Sequence, residues 1–169
     1  MEFLSLFPSS DWLIFFLFAV GLILHLVFIK KTRLLVDVLA LYLSFALVVV
    51  VPLFWPPARD WLSPRPLARA IAFALSSAIL HLILRRSNLA DFSARVKPTA
   101  FSTSLVYRIG SVGLFFSAIL FFVPERIKNL LGPVSQAVFA NWLALMIWFL
   151  LPLLFAFAYR FKTRRGWME

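Results

Sequence analysis

Ionisable side chains inside long apolar runs are costly, so each of them needs a physical reason. His25, Asp37, His81 and Arg108 each fall within about two helical turns of the same end of the apolar run that carries them. An aspartate beside two histidines is chemistry for moving protons, because imidazole exchanges a proton near neutral pH and a nearby carboxylate retunes it. Two histidines and one aspartate are also a donor set that a divalent cation accepts. Asp37 and Arg108 alone would make a structural ion pair. The competing reading is snorkelling, in which each group extends along its helix to reach headgroups or water. No ligand pair stands at i, i+4 on one helix, and shared depth does not establish contact. His25, Asp37, His81 and Arg108 are therefore a candidate polar cluster, and no catalytic residue or metal site is assigned.

Other chemistry is thin. Ser111, in Gly110-Ser111-Val112-Gly113, invites comparison with an intramembrane serine protease, and His25 or His81 would have to be its base. No second element of such a site is recognisable, and geometry must precede a nucleophile claim. The chain carries no phosphate-binding loop, dinucleotide fingerprint, paired-carboxylate site or histidine-rich metal motif. It has no cysteine, which excludes disulfides, thiolate nucleophiles, iron–sulfur clusters and cysteine-based zinc sites. No cofactor is expected. A net charge of +10 would point to nucleic acid in a soluble protein. Here the basic residues sit in short connectors between apolar runs, which membrane topology explains, so no nucleic-acid partner is expected.

The elements that must position these residues follow from composition. With 63% hydrophobic and 14% charged residues, the chain cannot cover a soluble domain with polar surface. A bilayer core about 30 Å thick takes about 20 helical residues. Stretches 12–29, 34–55, 66–84, 104–123 and 138–159 qualify, which predicts an all-α bundle of five transmembrane helices in a single domain, 1–169. Punctuation agrees: Pro8, Ser9, Ser10 and Asp11 precede the first span, Pro56 and Pro57 stop the second, and Pro66 opens the third. Pro124 closes the fourth span, and Gly132 and Pro133 precede the fifth.

Lys30, Lys31, Arg33, Arg85, Arg86, Arg95, Lys97, Arg160, Lys162, Arg164 and Arg165 fall on one side of this arrangement. Arg59, Arg65, Arg126 and Lys128 fall on the other, and Arg69 lies near a span end. The N-terminal tail holds Glu2 and Asp11 and no basic residue. The positive-inside rule then places the N-terminus outside and the C-terminus in the cytoplasm. Without a basic leader or a small-residue cleavage site, the first span is expected to be a retained anchor. Trp12, Trp55, Trp61 and Trp142 at one interface, and Tyr107, Tyr159 and Trp167 at the other, form aromatic belts. Leu89, Phe92 and Val96, with Arg95 and Lys97, read either as a short interfacial helix or as a solvated loop, and so does 125–131 outside.

The first and third spans both close on Ile-Leu-His-Leu, apolar residues and a basic pair, around His25 and His81. Each is followed by a span with a proline near its outer end, Pro52 or Pro124. This reads as a duplicated hairpin, or as chance in a leucine-rich chain. Ala70, Ala74 and Ala78 form one row of small residues, beside Ala68, Ala72 and Ser76. Gly110, Gly113 and Ser117 form another. Such rows let helices approach closely in lipid, so either the third and fourth spans are a tightly packed pair or one of them faces a partner. Pro52 and Pro152 are expected to kink their spans. Gln136 and Asn141 are placed to hydrogen-bond across helices.

Leu34-Leu35-Val36-Asp37, opening one span, and Arg108-Ile109-Gly110-Ser111-Val112-Gly113, beginning a later one, resemble the colicin V production protein family of small bacterial inner-membrane proteins. The likeness covers about half of the chain in general pattern. That family's glycine-rich first hairpin is absent here, and the fifth span with Pro152 has no counterpart. The resemblance implies a multi-pass protein of a bacterial plasma membrane and carries over no activity and no functional residue. The expected function is a non-enzymatic membrane subunit or scaffold, acting through helix packing with itself or other membrane proteins, with membrane lipid around it. The alternative is a transporter or channel component, proton-coupled through His25, Asp37 and His81. A membrane-embedded enzyme would have only isolated Ser, His and Asp residues to work with.

Overall fold

The computed structural model describes residues 10–95 and 101–158. Glu2, Pro8, Ser9, Val96, Lys97, Tyr159, Arg160, Lys162, Arg164, Arg165 and Trp167 lie outside the described residues. The chain forms α1 (Ser10–Phe28), a 3-10 turn (Lys31–Arg33), α2 (Leu34–Phe54), α3 (Pro56–Leu62), α4 (Pro66–Arg85) and α5 (Asn88–Arg95). It continues with α6 (Phe101–Phe122), α7 (Glu125–Lys128), α8 (Pro133–Ser135), a π-helical turn (Gln136–Ala140) and α9 (Trp142–Ala158). Among the described residues no strand occurs. Proline starts α3, α4 and α8, where its missing N–H costs nothing.

Four helices, α1, α2, α4 and α6, are long and apolar enough to cross a membrane, and the bent pair formed by 133–140 and α9 brings the number to five where it is counted as one span. The predicted start of the fourth span at Ser104 falls a turn late, since α6 begins at Phe101. The segment 88–95 is a helix, and buried Ser93 ties it to the 3-10 turn by donating to the Thr32 carbonyl at 2.7 Å.

A bend of 50° lies at Asn141, between the π-helical turn and α9, and α9 continues as helix through Pro152. α2 likewise continues through Pro52 to Phe54. A bend frees carbonyls, and in lipid they need protein partners. Asn141 Nδ2 donates to the carbonyls of Gln136 and Ala137 at 3.3 and 2.9 Å. Trp148 Nε1 donates to Val138 at 2.7 Å, and Ser117 Oγ reaches Phe139 at 2.9 Å. Asn141 Oδ1 then accepts the Ala144 N–H at 2.7 Å, which caps α9. Gln136 donates to Lys128 and Leu131 in the outer turns. Gln136 thus ties the bent pair to α7 and the connector before it, while Asn141 holds the two halves of the bend together. Asn141→Ala removes the cap and two carbonyl partners, and we expect it to cost about 1–2 kcal/mol, read as a lower thermal midpoint in detergent.

α6 is the hub of the bundle, touching α1, α2, α4 and α9, and it is the most buried of the long helices. The most extensive contacts are α2 with α4 and α6 with α9. The third and fourth spans, α4 and α6, do pack against each other, though less extensively than those two pairs, and the glycine row of α6 meets α9. Gly110 packs against Leu151 and Pro152, and Gly113 lies under the Trp148 ring, so this row seats α9. That ring stacks on Phe139, with centroids 5.7 Å apart and an interplanar angle of 6°. Between α2, α4, α6 and α9, Leu41, Phe73, Leu114, Ala118 and Leu145 form a buried core.

α1 is different. None of its residues is buried. Near its N-terminal end Asp11 accepts the backbone N–H of Ser135 at 2.7 Å, supplying the capping oxygen that Gly132, at the N-cap of α8, lacks. Near its inner end it is held by His25. Arg69 donates from α4 to the last carbonyls of α3, Leu62 and Ser63, fixing the outer connector.

Candidate functional site

Asp37 stands in the first turn of α2, just after the 3-10 turn that reverses the chain from α1. That tight reversal brings His25, in the last turn of α1, alongside it. α4 lies against α2 in the closest helix pair and brings His81 to the other side of the same carboxylate. His25 Nε2 is 2.8 Å from Asp37 Oδ2, and His81 Nδ1 is 3.3 Å from Asp37 Oδ1, an ion-pair distance without full hydrogen-bond alignment. The three side chains are only 11%, 15% and 16% exposed, which places them among protein atoms rather than at an interface they reach by snorkelling.

Arg108 arrives from α6 and is 4% exposed. Its Nη1 donates to the His25 carbonyl at 2.6 Å and lies 3.3 Å from His25 Nδ1. Its Nε reaches Ser104 Oγ at 3.4 Å. A guanidinium has only donors, so the His25 nitrogen that faces it carries the lone pair. Neutral His25 is therefore protonated on Nε2 and donates to Asp37. On His81 a lone pair pointed at a carboxylate oxygen would be repelled, so neutral His81 carries its proton on Nδ1. These tautomers are assigned from their partners. His25 thus hydrogen-bonds one oxygen of Asp37, and His81 faces the other at ion-pair distance.

The structure thus brings His25, Asp37, His81 and Arg108 into one network. Ser104 belongs to it as well, and only its place one turn before Arg108 could have signalled that. Among the described residues no three His, Asp or Glu side chains are arranged to hold a metal ion. Ser111 Oγ is buried and makes no hydrogen bond among the described residues, so it forms no nucleophile–base pair with either histidine.

The network closes the inner end of a cavity of about 540 Å³ between α1 and α4, with α2 and α6 behind it. Gly21, Leu24 and Phe28 line it from α1, Leu41 from α2, Ala74, Ser77, Ala78 and Leu82 from α4, and Ser111, Val112, Phe115 and Phe116 from α6. Leu24, Phe28 and Leu82 are also exposed, so the cavity is a groove open on the apolar flank. Ala74 and Ala78, expected to seat a neighbouring helix, line this groove, where short side chains leave space. In the same row Ala70 is buried in the core. The two histidines of the Ile-Leu-His-Leu repeat meet the same carboxylate, one at each oxygen.

No family model matches the chain, and no curated protein or solved structure matches it.

Proposed function

We propose that this chain is a membrane transport component that links passage through its groove to protonation of the His25–Asp37–His81 cluster. One observation carries the reading: a carboxylate from α2, clasped by histidines from α1 and α4, closes a cavity that those same two helices border. Adding or removing a proton on either histidine changes what holds α1 to α4, so occupancy of the groove and protonation share one set of contacts. α1 suits the moving part, because it buries no residue and its polar ties lie near its two ends, while Phe15 and Phe18 give it only ring contacts in between. The orientation belongs to the same reading, with the N-terminus outside and the C-terminus in the cytoplasm of a bacterial plasma membrane. Lys30, Lys31, Arg33, Arg85 and Arg86 cluster at the end that holds Asp37, which supports it. The likeness to the colicin V production proteins agrees with such a location and adds no activity.

Proteoliposomes under an inward proton gradient test the proposal. The unaltered chain should acidify the lumen, and His81→Gln should lose about tenfold of that rate, as expected for removal of a proton relay. Equal rates for both, or no influx above empty vesicles, would refute it.

A second reading is a subunit that packs with itself or with other membrane proteins. It is favoured by the same bare α1, which leaves room for a neighbouring helix. A defined homo-oligomer in mild detergent supports it, and a strictly monomeric particle counts against it.

A further inference from the structure

We infer that the groove between α1 and α4 takes a lipophilic cation, a protonated alkylamine whose ammonium head meets Asp37. The inference deepens the transport reading by naming its substrate class, and it rests on that reading only for the exchange with protons. The groove runs from Ala74 to Leu82 along α4, about 12 Å at 1.5 Å per residue. Its 540 Å³ lies within the range of about 300–1,000 Å³ usual for small-molecule sites. Leu24, Phe115 and Phe116 give it apolar walls, and the exposed rim of Phe28 and Leu82 opens it sideways to the hydrocarbon.

The inner end sets the sign of the head. Among the described lining residues Asp37 alone carries a charge while the histidines are neutral, and its side chain is 15% exposed. A carboxylate held away from water demands a cation or a full set of donors. Among the described residues the ion pairs of Asp37 are with the two histidines, and no Lys or Arg nitrogen pairs with it. An ionised carboxylate has about four acceptor positions. His25 fills one on Oδ2, and His81 faces Oδ1 at 3.3 Å without a formed hydrogen bond, so acceptor capacity remains. Ser111 is 1% exposed, lines the same groove and has a hydroxyl with no hydrogen-bond partner among the described residues, so it accepts as well. The neighbouring cations leave room for a positive head. Arg108 is off the lining and spends its Nη1 on the His25 carbonyl. Lys30, Arg85 and Arg86 are exposed, where water and salt screen them. An ammonium brings donors and positive charge and no acceptor, which is what free acceptors and an unpaired carboxylate select. The charged and titratable groups around the carboxylate are His25 from α1, His81 from α4 and Arg108 from α6. A proton taken up by His81 makes an imidazolium beside Asp37. The carboxylate then has a cation of the protein's own, and the ammonium leaves intact, one positive charge exchanged for another.

The test uses the full chain in phosphatidylcholine nanodiscs at neutral pH and octylamine carrying a diazirine on its chain as photoprobe. Saturable labelling is expected on α1, α4 and α6 residues of the groove. At matched bilayer content, unlabelled octylamine should compete about tenfold better than octanol, the equivalent of one charge-assisted hydrogen bond. Octanoate should compete no better than octanol. Ala78→Trp, which fills the groove, should abolish the labelling. Asp37→Asn should erase the preference for the amine, and Asp37→Glu, which keeps the charge, should retain most of it. If Asp37→Asn does not fold, the comparison of octylamine, octanol and octanoate on the unaltered chain decides alone. Equal competition by octanol, stronger competition by octanoate, or labelling spread evenly over the apolar flank overturns the inference. Amine-selective labelling without His81-dependent proton influx leaves the cation site standing and removes the transport reading. Proton influx with unselective labelling does the reverse.

Discussion

Asp37→Asn should stop proton influx into vesicles, lowering it at least as far as His81→Gln does, and should also destabilise the fold. The amide is nearly isosteric but offers one acceptor and one donor where the carboxylate offers two acceptors. His25 Nε2 and His81 Nδ1 both face Asp37, so one of them must then meet an N–H. His25 cannot change tautomer to relieve this, because Arg108 holds its other nitrogen. Leaving one buried donor unsatisfied costs about 1–3 kcal/mol. Removing the carboxylate also strips the buried Arg108 cation of a nearby anion. The expected result is a lower thermal midpoint with unchanged helix content, together with loss of the pH dependence of influx. Asp37→Glu should restore part of the flux, since it keeps the charge and both acceptors. An Asp37→Asn chain that conducts protons normally would show that the cluster is only structural.

Gly113→Ala should have the largest effect on stability outside the polar cluster. Alanine gains about 1 kcal/mol of helix propensity over glycine, so the sign depends on what the new methyl meets. It meets the face of the Trp148 indole, well inside contact distance. The ring cannot simply swing aside, because its Nε1 holds the Val138 carbonyl and its face stacks on Phe139. Displacing it frees a carbonyl at the break in the fifth span and opens the seam between α6 and α9. Overpacking of this kind costs about 1–3 kcal/mol, and the lost hydrogen bond adds about 1 kcal/mol. Both exceed the propensity gain, so the net change is destabilising. A double-mutant cycle with Trp148→Leu should show strong coupling, since shortening the ring relieves the overlap. Additive effects would mean that the two residues do not touch.

Much of the fold was readable from hydropathy, because lipid demands long apolar helices and leaves few alternatives. The bend in the fifth span was not. Proline is a local signal, and no proline stands at the bend. The bend at Asn141 is stabilised in part by Ser117 of another helix, which no short window along the chain links to it. The small-residue rows were ambiguous for a related reason. A missing side chain either admits a neighbour or leaves a space, and the sequence does not say which. Gly113 admits Trp148, while Ala78 leaves a groove. The polar residues stood out by their cost in an apolar setting, and their shared depth followed from helix length. That His25, Asp37 and His81 touch depends on α1 and α4 flanking α2, a fact of neighbour choice that hydropathy does not encode. Ser104 looked unremarkable, since a serine inside a helix can bond its own backbone and gives no signal of a partner elsewhere.

The central claim is that one carboxylate holds two histidines in different tautomers. Nitrogen NMR of the histidine side chains in bilayers measures this directly, with His25→Gln and His81→Gln variants assigning the signals. At a pH where both rings are neutral, His25 should carry its proton on Nε2 and His81 on Nδ1, and Asp37→Asn should shift both. Two histidines that show the same tautomer mixture, indifferent to Asp37, would contradict the account.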